Sequence, residues 1–248
     1  AVMLIGSRAG GSGDVPDFRA VAAAFRRSAP ELTVHVTNVA DAVAALVEVP
    51  AGSAPASFVA AARATLEGVL RMLRPAGRLV AGISAVHADR AGYRKAYQEA
   101  RQVVDCIRRF SPPGGPAMFA ADELGAGRVF LATSDGQLMA SFAEETFGSL
   151  VDDPSKADLL TTLCSFFDNM ASIRRSATCL RLHENTIRYR LSRIEELTGL
   201  AVTHDPDAQL RARISLLVLL LQGRLPGAAH GQPAQGRAPL EVVQAAAS

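Results

Sequence analysis

The sequence predicts an α+β protein, with a mixed α/β sandwich in its first half and an all-helical domain in its second. Three observations carry that expectation. Short apolar, β-branched runs alternate with segments of helical period as far as Phe110. Every window from Ser155 to about Gln222 is helical. Between them, Ser111–Pro116 packs three prolines and two glycines into six residues and can extend neither element. The 248 residues, 49% hydrophobic and 20% charged, suffice for two modest folded domains.

Val2–Ile5 reads as a strand ending at Gly6, and Phe18, Val21, Ala22 and Phe25 then fall at helical spacing. Leu32–Thr37 and Val43–Val49 read as strands, and Pro50–Pro55 breaks the pattern before a helix over Ser57–Leu73. Arg78–Val86 reads as a buried strand. Asp89–Phe110 reads as an amphipathic helix carrying Tyr93, Ala96, Tyr97, Ala100, Val103, Val104 and Ile107 on one side. Beyond the Pro-Gly break the pattern gives a strand over Val129–Ala132, a short helix over Gln137–Phe147 and a stop at Asp152-Asp153-Pro154. After Gly223 the chain turns to Gly, Ala, Pro and Gln, a composition expected to remain disordered. The domains expected are therefore 1–118, a connecting segment 119–154, a helical domain 155–222 and a tail 223–248.

Composition excludes several classes. The longest apolar run, Ile214–Leu221 interrupted by Ser215, is far shorter than the roughly 18 residues of a membrane span, so no membrane partner is expected. Cys106, Cys164 and Cys179 lack redox or zinc spacing and are expected to be reduced, buried thiols of a cytoplasmic protein. The five histidines show no ligand spacing, and neither metal nor other cofactor is expected. Residue 1 is Ala and the chain opens inside a strand, as expected of a piece of a longer protein.

The net charge of +2 says little, but its distribution says more. From Ala171 to Ile194 there are six arginines against Glu184 alone, a local charge of +5. That window lies in a helix, turn, helix pattern: a helix over Asp158–Met170, Ser172 as N-cap of a helix ending near Leu180, a turn through Arg181, Leu182 and His183, and a third helix from Asn185. Small Ala177 lets the third helix cross closely. At about 100° per residue, Ile187, Leu191 and Ile194 form one apolar stripe. Asn185, Tyr189, Ser192 and Glu196 face the other way, with Arg188 and Arg193 on the flanks. Asn and Arg can read base edges, and Thr186 and Tyr189 hydroxyls can reach phosphates. Arg174 and Arg175, opening the second helix, suit phosphate contact, whereas Arg190 lies nearer the apolar stripe and suits a structural or phosphate role. The candidate DNA-binding residues are thus Arg174, Arg175, Asn185, Thr186, Arg188, Tyr189, Ser192 and Arg193.

The strings Asp158-Leu-Leu-Thr-Thr-Leu and Ser176 through Leu200, above all His183–Leu200, resemble the C-terminal DNA-binding domain of the PucR/CdaR family of bacterial transcriptional regulators. Gly82-Ile83, followed by Tyr93, Tyr97, Glu99 and Ala100, is similar to the degenerate GGDEF-like domain that precedes it in that family. The resemblance implies an N-terminal GGDEF-like α/β sandwich followed by an all-α helix-turn-helix domain that binds double-stranded operator DNA. It also implies a small-molecule effector sensed by a domain missing from this chain. Two departures stand out: Arg181 occupies a turn position where many such units have Gly, with a backbone cost if its φ is positive, and Met170-Ala171 stands where the family commonly has Asn or Gly.

Other readings are a nucleotide-binding enzyme or a protein-interaction module. Gly6–Gly13 lies between a strand and a helix, where phosphate cradles occur, but it lacks the Lys-Ser/Thr of a P-loop and does not fit GxGxxG. No Gly-Gly-Asp/Glu-Glu-Phe string occurs, and Ser84, His87 and Asp89 make no triad by proximity alone, so no catalytic residue is assigned. A homodimer or higher oligomer is expected, because one helix-turn-helix reaches one half-site. The apolar surface of Leu210 to Leu221 covers every azimuth and needs a second apolar partner, either another copy or the rest of the same chain.

Overall fold

The computed structural model describes residues 1–10, 15–50, 52–73, 78–87 and 92–225. They divide into two compact units, Ala1–Thr146 with Ile214–Arg224, and a second from Phe147 to Arg213.

The first unit is built on a sheet of β1 (Val2–Ser7), β2 (Val34–Val39), β3 (Ala42–Val47), β4 (Leu79–Ile83) and β5 (Met118–Ala120), in the order β2-β3-β1-β4-β5. Neighbours are antiparallel except β4 and β5, which are parallel. The central β1 is buried at every residue. Because side chains alternate across a strand, Met3 and Ile5 share a face. That face forms a core with Val21 and Phe25 of α1 (Phe18–Ser28) and Phe58, Leu66 and Val69 of α2 (Pro55–Met72). α3 (Tyr93–Phe110) packs on β1 and β4. It approaches so closely that a Cβ at Gly82 would fall on the Ala100 carbonyl oxygen and within 3.0 Å of Val103 Cβ. The glycine at position 82 thus has a steric reason.

Polar ties hold the ends of these elements. At the β2–β3 turn, where Ala40 has φ +45°, the Asp41 carboxylate accepts from Arg101 and, at 2.7 Å, from Arg108, whose Nε also donates to Ser7 O at 2.8 Å. The Arg101 hydrogen bond first, then Arg108, hold the Asp41 pKa down at about 2 against the opposing effect of burial. A depressed carboxylate pKa contributes stability that is complete above the unfolded value near 3.9 and lost as pH falls toward 2. Asp41→Asn is therefore expected to destabilise the first unit by about 1 to 2 kcal/mol at neutral pH and by progressively less below pH 4. Urea unfolding across that range checks it, and an equal loss at pH 7 and pH 2.5 would contradict it.

The Pro-Gly stretch is also tied. Arg8 donates to Ser111 O and Pro112 O through Nη1, at 3.3 and 3.2 Å, and to Gly115 O and Pro116 O through Nη2, both at 3.2 Å. Where the sequence suggests a domain edge at 118, β5 crosses that position and pairs with β4, and the first unit continues to Thr146. The strand expected over Val129–Ala132 is instead helical, in α5 (Gly127–Leu131). Leu131 is buried while Val129 and Phe130 are exposed, a one-sided burial suited to a helical turn. α4 (Ala121–Leu124) precedes it, and α6 (Gly136–Val151) extends the expected short helix by a turn. Asp89, residues 11–13 of the glycine loop, and 226–248 of the expected tail lie outside the described residues.

Candidate nucleic-acid interface

After a 3-10 turn at Pro154–Lys156, the second unit consists of α7 (Ala157–Asp168), α8 (Ile173–Leu180), α9 (Glu184–Thr198) and the start of α10 (Pro206–Gln222). α7, α8 and α9 each pack on the other two. Leu160, Leu163 and Phe166 of α7, Ala177 of α8, and Ile187, Leu191 and Ile194 of α9 are buried, so the apolar stripe of the third helix is its inward face.

The connections follow from local chemistry. The chain leaves α7 through Met170 at φ +56° and Ala171 at φ +54°, with Ala171 N donating to Phe166 O at 2.8 Å. Ser172 caps α8, its Oγ accepting from Arg175 N at 3.4 Å. α8 ends on Arg181 in the left-handed region, φ +54°, while Leu182 N donates to Ala177 O at 2.9 Å. The expected backbone cost is therefore present, about 1 kcal/mol or more for a residue carrying a Cβ. His183 caps α9 by accepting from Asn185 N at 3.1 Å through Nδ1, which places the proton of the neutral ring on Nε2. Gly199, at φ +71°, ends that helix.

Asn185, Arg188, Tyr189, Ser192 and Arg193 all emerge exposed on α9, Tyr189 at 69%, while Thr186 is half-buried. Arg174 and Arg175 are exposed on α8. Arg188 donates to Asn185 Oδ1 and Glu184 Oε2, both at 3.1 Å, and Arg193 to Glu196 Oε2 at 2.8 Å. Arg190 turns the other way, donating to Thr162 Oγ1 at 3.2 Å and Asp158 Oδ2 at 2.6 Å, and so braces α9 against α7. A concavity of about 440 Å³ is lined by Arg174, Ala177, Thr178, Arg181, Leu182, His183, Glu184 and Arg188. Arg181 is the basic side chain of this surface that the sequence reading left out of the DNA-binding set. The signal available was a large cationic residue at a helix end that favours glycine.

One expectation needs correction. Cys179 on α8 is exposed, not buried, because it sits on the outward side of a helix whose inner face is Ser176 and Ala177. Cys106 and Cys164 follow the expectation more closely, with burial pushing both thiols up to about 12. Of the two coverings open to the apolar surface of α10, the chain itself supplies part, and Leu210 stays 57% exposed. Ala208 and Ala212 are buried, as are Leu216, Val218, Leu219 and Leu221, which group with the first unit. No second copy is needed to cover them. No helix among the described residues is long and apolar enough to cross a membrane.

Residues 159–218 match the PucR C-terminal helix-turn-helix domain, and residues 1–106 match the GGDEF-like domain. The chain is similar to the transcriptional activator PmfR of Paenarthrobacter nicotinovorans, 29% identical over 51% of this chain and 26% of that protein. It is also similar to the purine catabolism regulatory protein of Bacillus subtilis, 33% identical over 32% of this chain and 15% of that one. The matched stretches thus cover about a quarter or less of the length of these relatives. A crystal structure of a regulator of polyketide synthase expression from Bifidobacterium adolescentis aligns over 90% of this chain and 79% of its own, with a TM-score of 0.38 and 22% identity. The chain thus carries a GGDEF-like domain followed by a PucR C-terminal helix-turn-helix domain, the arrangement implied by its resemblance to the PucR/CdaR family of bacterial transcriptional regulators.

Proposed function

We propose that this chain binds double-stranded operator DNA through α8 and α9, and that it regulates transcription in the cytoplasm as a homodimer without catalysing a reaction. The observation that carries the proposal is the two-sidedness of α9. Ile187, Leu191 and Ile194 are buried, and the opposite side presents Asn185, Arg188, Tyr189, Ser192 and Arg193 to solvent. A helix held by its apolar stripe on two others, with amide and guanidinium groups outward, has the form and chemistry of a major-groove reader. In this reading Asn185, Arg188 and Arg193 read bases, while Arg174, Arg175, Thr186, Tyr189 and Ser192 hold the backbone. The residues before about 118 form the GGDEF-like domain, 155–222 the DNA-binding domain, and an effector acts through a part of the longer protein outside this chain. The nucleotide-binding alternative is disfavoured by Arg8, because the guanidinium of the glycine loop is taken up by the carbonyls of Ser111–Pro116.

Asn185→Ala and Arg193→Ala are each expected to weaken binding to a duplex selected from a random library by about 1 to 3 kcal/mol, and binding to unselected DNA by less. Fluorescence anisotropy at matched salt measures both. A footprint of the parent should protect two half-sites separated by about 34 to 36 Å or a multiple of it. Variants that bind the selected duplex as the parent does would remove these residues from the reading face, and protection of a single half-site would remove the dimer.

A further inference from the structure

Arg181 holds a conformation that its side chain disfavours, and the fold gains no visible contact in return. It is one of four non-glycine residues with positive φ among the described residues, and it sits at a helix end where glycine adopts the same backbone without a Cβ penalty. Its guanidinium has no hydrogen bond or ion pair among the described residues, and the side chain is exposed. Strain that nothing in the local packing requires is a pointer to use.

The surroundings say what use. Arg181 lines the concavity between the end of α8 and the start of α9 together with Arg174, Thr178, His183 and Arg188. Three guanidinium groups meet there against one carboxylate, Glu184, which already lies 3.1 Å from Arg188. The cap on α9 requires His183 Nδ1 to accept, so the ring's remaining hydrogen, on Nε2, is a further donor at this edge. The whole is a surface of donors and positive charge beside the exposed side of α9.

Resting on the reading of α9 as the groove-entering helix, we propose that Arg181 is a DNA-contacting residue. With Arg174 it grips a backbone phosphate at the lip of the groove, and the left-handed turn is retained as an arginine for that purpose. The contact is to phosphate, so it adds affinity and register without choosing a sequence.

Arg181→Gly and Arg181→Lys in the full chain test this, by thermal unfolding and by anisotropy with a mixed-sequence duplex over a salt series. Arg181→Gly is expected to raise the thermal midpoint by a few degrees while weakening binding several-fold at low salt. The slope of log affinity on log salt should shrink by about 0.9, the loss of one phosphate contact. Arg181→Lys should keep both the slope and the parent's midpoint. Arg181→Gly with unchanged affinity or slope would overturn the contact, and a lowered midpoint would show that the fold itself needs the side chain, which equally overturns it. A parent chain that binds no duplex would instead sink the proposed function, an outcome distinct from a parent that binds and a variant that matches it.

Discussion

Leu191→Ala is expected to remove about 2 to 5 kcal/mol from the stability of the helix-turn-helix unit, the cost of truncating a buried leucine in a site that collapses only partly. Leu191 is 1% exposed, between Ile187 and Ile194 on the face of α9 that meets α7 and α8. Domain stabilities of about 5 to 15 kcal/mol make this a large share. Binding to duplex DNA should fall with it, for selected and unselected sequences alike, because the whole reading helix loses its seat. Urea unfolding followed by far-ultraviolet circular dichroism gives the first number and anisotropy the second. A stable variant with parental sequence preference would mean that α9 is positioned by the His183 cap and the Arg190 brace more than by its stripe.

The second large effect is expected at Gly82. Gly82→Ala places a methyl against the Ala100 carbonyl oxygen and close to Val103 Cβ, so α3 must move off the sheet, at a cost of about 1 to 3 kcal/mol or more. Ala100→Gly in the same chain should give no rescue, because the obstruction is backbone. Val103→Ala should give none either, because the close atom is Val103 Cβ, which alanine keeps. Chemical denaturation of the three variants checks this, and full rescue by either second substitution would show that the clash is with side-chain atoms it removes.

What the sequence reveals and what it hides divide along the range of the interactions. The α9 stripe and the Ser172 cap were legible because each is decided by residues within a turn or two of itself. The strained turn at Arg181 was legible for the same reason, as a departure from glycine. β5 was hidden, since three residues after a Pro-rich loop carry no period, and only pairing with β4 makes them a strand. Val129–Ala132 misled because a β-branched residue beside two large apolar ones fits a strand until burial falls on Leu131 and Ala132 and leaves Val129 and Phe130 exposed. The apolarity of α10 was plain but its coverage was not, because a sequence shows that a surface must be buried without showing by what. For the site, exposure of the α9 face followed from helical geometry. The gathering of Arg174, Arg181 and Arg188 around one concavity needed the turn to be seen in space.

The order of the sheet also bears on how the chain is made. β1 precedes the other strands in sequence yet lies in the middle of the sheet, and its hydrogen bonds wait for β3 and then for β4. Its last tie, from Arg8 to the carbonyls of Ser111–Pro116, spans 103 to 108 residues. Such distant pairings close slowly, since the entropy of a long loop is lost before its contacts form. The nascent first unit therefore holds an apolar strand with one edge unpaired until β4 has emerged. A ribosome-stalling series should show protease resistance arising only once the residues of β5 have cleared the exit tunnel.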